Sequence, residues 1–177
     1  MGHSFNLHKE QEVDGIASNK IESFFQKFQL GALAHRCGIS KTKGVSPVKL
    51  LACLFSLPFL GLNLYRYFAA DRETEFAKDA VYDFLRSSRF SWRRFLLLLS
   101  VKVCALFQSL TSEERETVLI LDDSTVHKPR AKHVELLARV HDHTENRFLR
   151  GFRLFCLCWS DGASLAPLDF ALLSSPN

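Results

Sequence analysis

The chain has 177 residues, 47% of them hydrophobic and 24% charged, a balance that excludes a disordered polymer and leaves room for one ordinary domain or two small ones. Sixteen Phe require a packed aromatic core, and a net charge of +4 falls short of a heavily basic coat protein.

Residues 1–17 show no sustained period and read as a loose arm. Ser18 or Asn19 can cap a helix with Ile21, Phe24, Phe25 and Phe28 on one face, and Gly31 is expected to break it. A short helix from Ala32 to Cys37 ends at Gly38. Ser46-Pro47 is a good helix start, because proline at the first helical position gives up an amide that would have no partner anyway. The following Leu50, Leu51, Leu54, Phe55 and Leu57 are apolar nearly all round, so this helix is expected to be central, until Pro58 and Gly61 disrupt it. Leu62 to Ala70 predicts a further short helix with Tyr65 and Phe68 inward. Phe76, Ala80, Val81, Phe84 and Leu85 then recur at helical spacing, and Ser91 opens a last helix from Trp92 to Leu110 whose tract Phe95 to Leu99 crosses the core.

Beyond Thr111 the period changes. Thr117-Val-Leu-Ile-Leu-Asp-Asp-Ser-Thr125 is an apolar, β-branched run expected to form a buried strand ending in two carboxylates and two hydroxyls. Side chains alternate along a strand, so Asp122 and Asp123 must leave opposite faces and cannot do the same job. A plain turn at the strand end is the simpler reading of Asp-Asp-Ser-Thr. Val134 to Val140 is ambiguous between helix and extended chain. Phe152 to Trp159 and Leu165 to Leu173 are β-rich, and Ser160-Asp161-Gly162 between them signals a hairpin turn.

Between Ser124 and Arg153 there are seven Lys or Arg against three acids, and between Phe76 and Leu110 six against two. Such clusters can guide a polyanion, although basic residues also simply solvate loops and helix faces. Five Cys, most of them inside apolar runs, favour buried thiols in a reducing compartment. The polar Met1 to Asn19 segment has no apolar core, so a cytoplasmic protein is expected. Leu50 to Leu62 and Phe95 to Phe107 are shorter than the roughly 20 residues of a spanning helix, so no membrane role is expected.

The Asp122-Asp123-Ser124 and Trp159-Ser160-Asp161-Gly162 elements in this order, with Lys128 to Arg130, Lys132 to His143 and Gly151 to Ser174, resemble the bacterial insertion-sequence DDE transposases of the IS-four type. The likeness runs back through Phe28-Gln-Leu-Gly31, Leu54-Phe-Ser56 and Lys78-Asp-Ala-Val-Tyr82, about residues 20 to 174. It implies an α+β fold: a flexible arm (1–17), a helical DNA-binding region (18–112) and the first strands of a truncated ribonuclease-H-like domain (113–177). It also implies DNA strand cutting and joining by three carboxylates holding two Mg²⁺ or Mn²⁺ ions. On that match Asp123 is the first catalytic aspartate and metal ligand, with Asp122 as the alternative. The second Asp and the Glu are not found: Asp161 falls in the hairpin turn and Asp169 mid-strand beside Pro167, so the chain alone is expected to be inactive. The implied partner is the double-stranded DNA of the element ends, with a possible dimer with itself or with intact transposase. DNA contacts are expected from Lys78, Tyr82, Arg86 and Arg89 on one helix and its end, and from Lys128, Arg130 and Lys132.

Two other chemistries are readable. His141 and His143 with Cys156 and Cys158 would make a zinc site if the fold brought them together. A Cys–His nucleophile has less support, because no Cys sits in a polar, basic setting that would lower its pKa.

Overall fold

The computed structural model describes residues 19–41, 43–69, 74–112 and 114–173, and the expected arm lies outside them, as does Ser18. Its contacts divide the chain between Phe95 and Leu96.

The first unit is helical. Helix α1 (19–28) buries Ile21, Phe25 and Phe28, as the spacing predicts. The break falls at Gln29, which takes a left-handed conformation at φ 55°, not at Gly31. Gly31 instead lies inside α2 (Leu30–Arg36), where a Cβ would come within 3.3 Å of Val48. Its lack of a side chain serves helix packing, which sequence spacing cannot separate from helix breaking. Gly38 closes α2 at φ 72°. Helix α3 (Pro47–Phe59) starts as expected, with the Ser46 hydroxyl accepting the Lys49 amide at 3.3 Å. It buries Leu50, Leu51 and Cys53, while Val48 and Phe59 remain exposed.

Helix α4 (Leu64–Ala69) is capped by Asn63, whose side-chain amide oxygen Oδ1 accepts the Arg66 backbone N–H at 2.8 Å. Tyr65, expected inward, is 71% exposed, because a helix this short turns only part of its surface to a neighbour. Helix α5 (Lys78–Arg86) buries Val81 and Phe84, but Leu85 stays on the solvent side. Phe84, Phe90 and Trp92 meet edge-on or tilted with ring centroids 5.3–5.8 Å apart. That cluster anchors the start of α6 (Trp92–Leu110), where the Ser91 amide also donates to the Cys37 carbonyl at 3.0 Å.

The second unit holds the rest of α6 and a four-stranded antiparallel sheet: β1 (Val118–His127), β2 (Ala138–Asp142), β3 (Arg147–Ser160) and β4 (Leu165–Leu173). The strand β3 is the organising element. Along one edge it pairs with β1, from Val118↔Ser160 to His127↔Gly151. Along the other it pairs first with β2, up to Ala138↔Gly151, and then with β4. The ambiguous Val134 to Val140 segment thus resolves into a turn followed by strand. Composition changes at residue 113, but the contact division falls earlier because the later part of α6 binds the sheet. Phe107 stacks on Trp159 at 6.3 Å, Ser100 donates to the Pro167 carbonyl, and Thr111 donates to Asp161.

The prediction that Val118 to Leu121 would be buried is overturned. Val118, Leu119, Ile120 and Leu121 are 47, 67, 40 and 61% exposed. An apolar strand is buried when it has neighbours on both edges and cover on both faces. Here β1 has β3 on one edge, and no strand among the described residues pairs with the other.

Gly151 is the point where β3 changes partners, matched to His127 on one side and Ala138 on the other. A Cβ there would lie 2.2 Å from the Val126 carbonyl oxygen, so any side chain forces the backbone of β1 away. Gly151→Ala is expected to destabilise the sheet by about 2 kcal/mol or more, the range of overpacking against a rigid neighbour. The denaturant midpoint read by tryptophan fluorescence tests this, and an unchanged midpoint refutes the close approach.

Candidate functional site

The strand β1 presents Asp122 opposite Cys156 and Asp123 opposite Phe155, so the two carboxylates leave opposite faces of the sheet. Asp123 shares its face with Thr125, Arg153 and Trp159. Arg153 lies diagonally across the pair and donates to both carboxylate oxygens of Asp123, from Nε at 3.1 Å and also from Nη2. Asp122 accepts the Ser124 hydroxyl at 2.6 Å on the other face. Both acids are exposed.

Asp161 belongs to the β3–β4 turn, as its neighbours suggest, and it is buried there. Its carboxylate accepts the Thr111 hydroxyl and the amides of Ser164 at 2.6 Å and Ala163 at 3.0 Å. The Thr111 hydroxyl first, and the Ser164 amide next, pull its pKa from 3.8 to about 2. Asp169 faces Leu157 on β4, so two strand spacings, roughly 10 Å, separate its strand from β1.

The zinc arrangement does not form. His141 sits opposite Phe148, eight residues along β3 from Cys156, which is roughly 25 Å of extended chain. The two imidazoles meet each other at 4.8 Å, far from the thiols. Cys156 and Cys158 do share the face of Phe152 and Leu154, as alternation requires, but with Cys104 they are half-buried rather than fully enclosed. Burial pushes the thiols of Cys37, Cys53, Cys104 and Cys158 upward, the opposite of what a nucleophile needs.

Of the basic candidates, Lys78, Tyr82 and Arg86 recur every four residues and share one face of α5. Lys78 and Arg86 are exposed, and the Arg86 guanidinium stands 6.0 Å from the Tyr82 ring centre. Arg89 is exposed just beyond that helix. Lys128, Arg130 and Lys132 are exposed on the segment joining β1 to β2. The β2–β3 hairpin adds Arg139, Phe148 and Arg150, which reading by charge clusters did not single out. Their signal was the alternation of Arg139 with His141 and of Phe148 with Arg150, which becomes meaningful only once the Asp142 to Arg147 turn fixes the register.

The sequence profile of the DDE superfamily endonucleases matches residues 65–176, taking in α5, α6 and all four strands. The chain belongs to that family. No curated protein and no solved structure matches it. DDE endonucleases are transposase-type nucleases that generally work with divalent metal ions. In this DDE chain the donor set does not fit a two-ion centre: Asp122 and Asp123 diverge, Asp123 is engaged by Arg153, and Asp161 is committed to its turn. Among the described residues no three His, Cys, Asp or Glu converge on one point that could hold a metal. Also among them, no helix is long and apolar enough to cross a membrane.

Two outcomes follow for the acids of this DDE chain. Asp161 has its pKa lowered on folding, so its contribution is present above pH about 4 and is lost as pH falls through about 2. Asp161→Asn is therefore expected to lower the urea midpoint at pH 7 and to lessen its decline between pH 4 and 2; an unaltered midpoint at pH 7 contradicts the turn's dependence on that carboxylate. The Asp123–Arg153 pair is partly exposed, with side chains 32 and 41% accessible. Exposed ion pairs contribute at most about 1 kcal/mol, so Arg153→Ala is expected to cost less than that in a denaturation series. A loss several times larger would show the pair to be part of the sheet's core support.

Proposed function

We propose that this chain is a DNA-binding part of a bacterial insertion-sequence transposase of the IS-four type, acting on the double-stranded ends of the element. The observation that carries this reading is β1: an extended strand, within the span matched by the DDE family, that presents Asp122 and Asp123 beside a sheet rich in surface arginine. In this reading Asp123, with Asp122 as the alternative, is the one catalytic carboxylate among the described residues. Mg²⁺ or Mn²⁺ would need further acids beside it, which the described residues do not bring there, and the chain by itself binds DNA without cutting it. The α5 stripe of Lys78, Tyr82 and Arg86, with Arg89 beyond it, forms one basic surface, and Lys128, Arg130 and Lys132 form another. Each cation neutralises a phosphate and releases its counterions.

A second reading is favoured by the unpaired edge of β1. A chain with an open, apolar strand edge can join a second copy or an intact transposase and inhibit it without ever cutting.

The test combines two assays on the full chain. Fluorescence anisotropy with a labelled duplex is expected to show binding that weakens steeply with salt, and Lys78→Gln with Arg86→Gln is expected to weaken it further. Nicking of supercoiled plasmid in Mg²⁺ is expected to be absent, and Asp123→Ala is expected to leave DNA affinity unchanged. Metal-dependent nicking abolished by Asp123→Ala would overturn the claim of inactivity. Failure to bind duplex at low salt would overturn the DNA reading itself.

A further inference from the structure

We propose that the β2–β3 hairpin is a separate DNA contact, in which Arg139 and Arg150 hold a backbone phosphate and Phe148 receives an unpaired base. The proposal rests on the DNA-binding reading above and names residues and a mode of contact beyond it.

The hairpin carries an unfavourable pairing. Register places Arg139 directly across from Arg150, so their Cβ atoms stand about 5 Å apart, and like charges so placed destabilise a bare sheet. Among the described residues no carboxylate relieves them. Glu145 pairs with Arg147 at the turn. The Asp142 carboxylate accepts the Thr144 and Glu145 amides at 2.8 and 3.1 Å, and those amides, Glu145 first, hold its pKa below the ordinary value. Arg150 donates instead to the Lys132 carbonyl oxygen at 3.2 Å, which fixes its direction and draws the basic segment 128–132 toward it. An anion seated between the two guanidiniums turns the repulsion into a pair of charge-assisted hydrogen bonds.

The aromatic part shares that face. Phe148 is 62% exposed although it lies within a strand. The Arg139 guanidinium stands 5.2 Å from its ring centre and the His141 ring meets it edge-on at 5.1 Å. The ring is held by its neighbours yet left uncovered. An open recess of about 520 Å³ runs along the hairpin, lined by Leu137, Ala138, Arg139, Phe148, Leu149 and Arg150. A phosphate for the arginines and a planar base for the ring describe a nucleic-acid strand with an unpaired nucleotide. An acidic peptide satisfies the cations and leaves the ring unused.

The experiment measures anisotropy of the full chain with two labelled DNAs, a blunt duplex and the same duplex carrying a three-nucleotide single-stranded tail. Arg139→Gln with Arg150→Gln is expected to weaken both about tenfold and to reduce the salt slope by about one, the share of the single phosphate the pair holds. Phe148→Ala is expected to weaken the tailed DNA about tenfold and the blunt duplex much less, the loss of one stacked base. Near-ultraviolet circular dichroism verifies that each variant is folded. If the double variant unfolds, photocrosslinking of a bromodeoxyuridine tail to wild-type chain decides, and a crosslink at the hairpin is expected. Wild-type binding with both variants unaffected, or a crosslink elsewhere, overturns the hairpin and leaves the DNA reading standing. Absence of wild-type binding overturns both. Equally tight binding to polyaspartate, lost in the same double variant, overturns the choice of DNA and marks a surface for acidic polymers in general.

Discussion

The second unit depends on one long strand. Over its 14 residues β3 pairs with β1 on one edge and with β2 and then β4 on the other, so every strand pairing among the described residues involves it. That arrangement needs one residue without a side chain, Gly151, where the end of β1 comes close and the edge partner changes from β2 to β4. The register set there decides which face each acid, thiol and guanidinium occupies. A slip of one residue would exchange Asp122 with Asp123, or turn Arg139 away from Arg150 and Phe148.

The same constraint leaves β1 half-supported. Its apolar run has the composition of an interior strand, yet it stands at an edge with both faces accessible. Natural sheets usually blunt such edges with charge, proline or cover. In β1 the carboxylates Asp122 and Asp123 stand midway along the strand, so the four apolar residues ahead of them, Val118 to Leu121, stay open to pairing. The two acids therefore serve in one place as candidates for chemistry and as the break in a surface prone to association.

Much of this was legible in the sequence, for identifiable reasons. Helix spacing in α1, α3 and α5 and the Ser46-Pro47 start depend on local backbone preference, and the Ser160-Asp161-Gly162 turn does too. The opposed faces of Asp122 and Asp123 follow from strand geometry alone. Gly31 shows the limit: the sequence signals a break, but the break is one of strain at Gln29, and the glycine answers to Val48 on another helix. The exposure of Val118 to Leu121 was also hidden, because burial depends on which strands flank β1 and no local pattern carries that. The facing arginines of the hairpin needed the register of a loop whose residues carry no distinctive motif. For the candidate site, the family likeness located β1, while the engagement of Asp123 by Arg153 is a diagonal contact that only pairing with β3 reveals.

Among the described residues β1 is an edge strand tied to β3 alone, and it carries its two acids to opposite faces. Amide hydrogen exchange resolved residue by residue along Val118 to His127 tests it most directly. A strand bonded on one edge directs alternate amides to its partner and the others to water, so protection that alternates along β1 is predicted. Uniform protection would mean that a further strand covers the outer edge, and uniformly fast exchange would mean that β1 is not paired at all; either result contradicts the account.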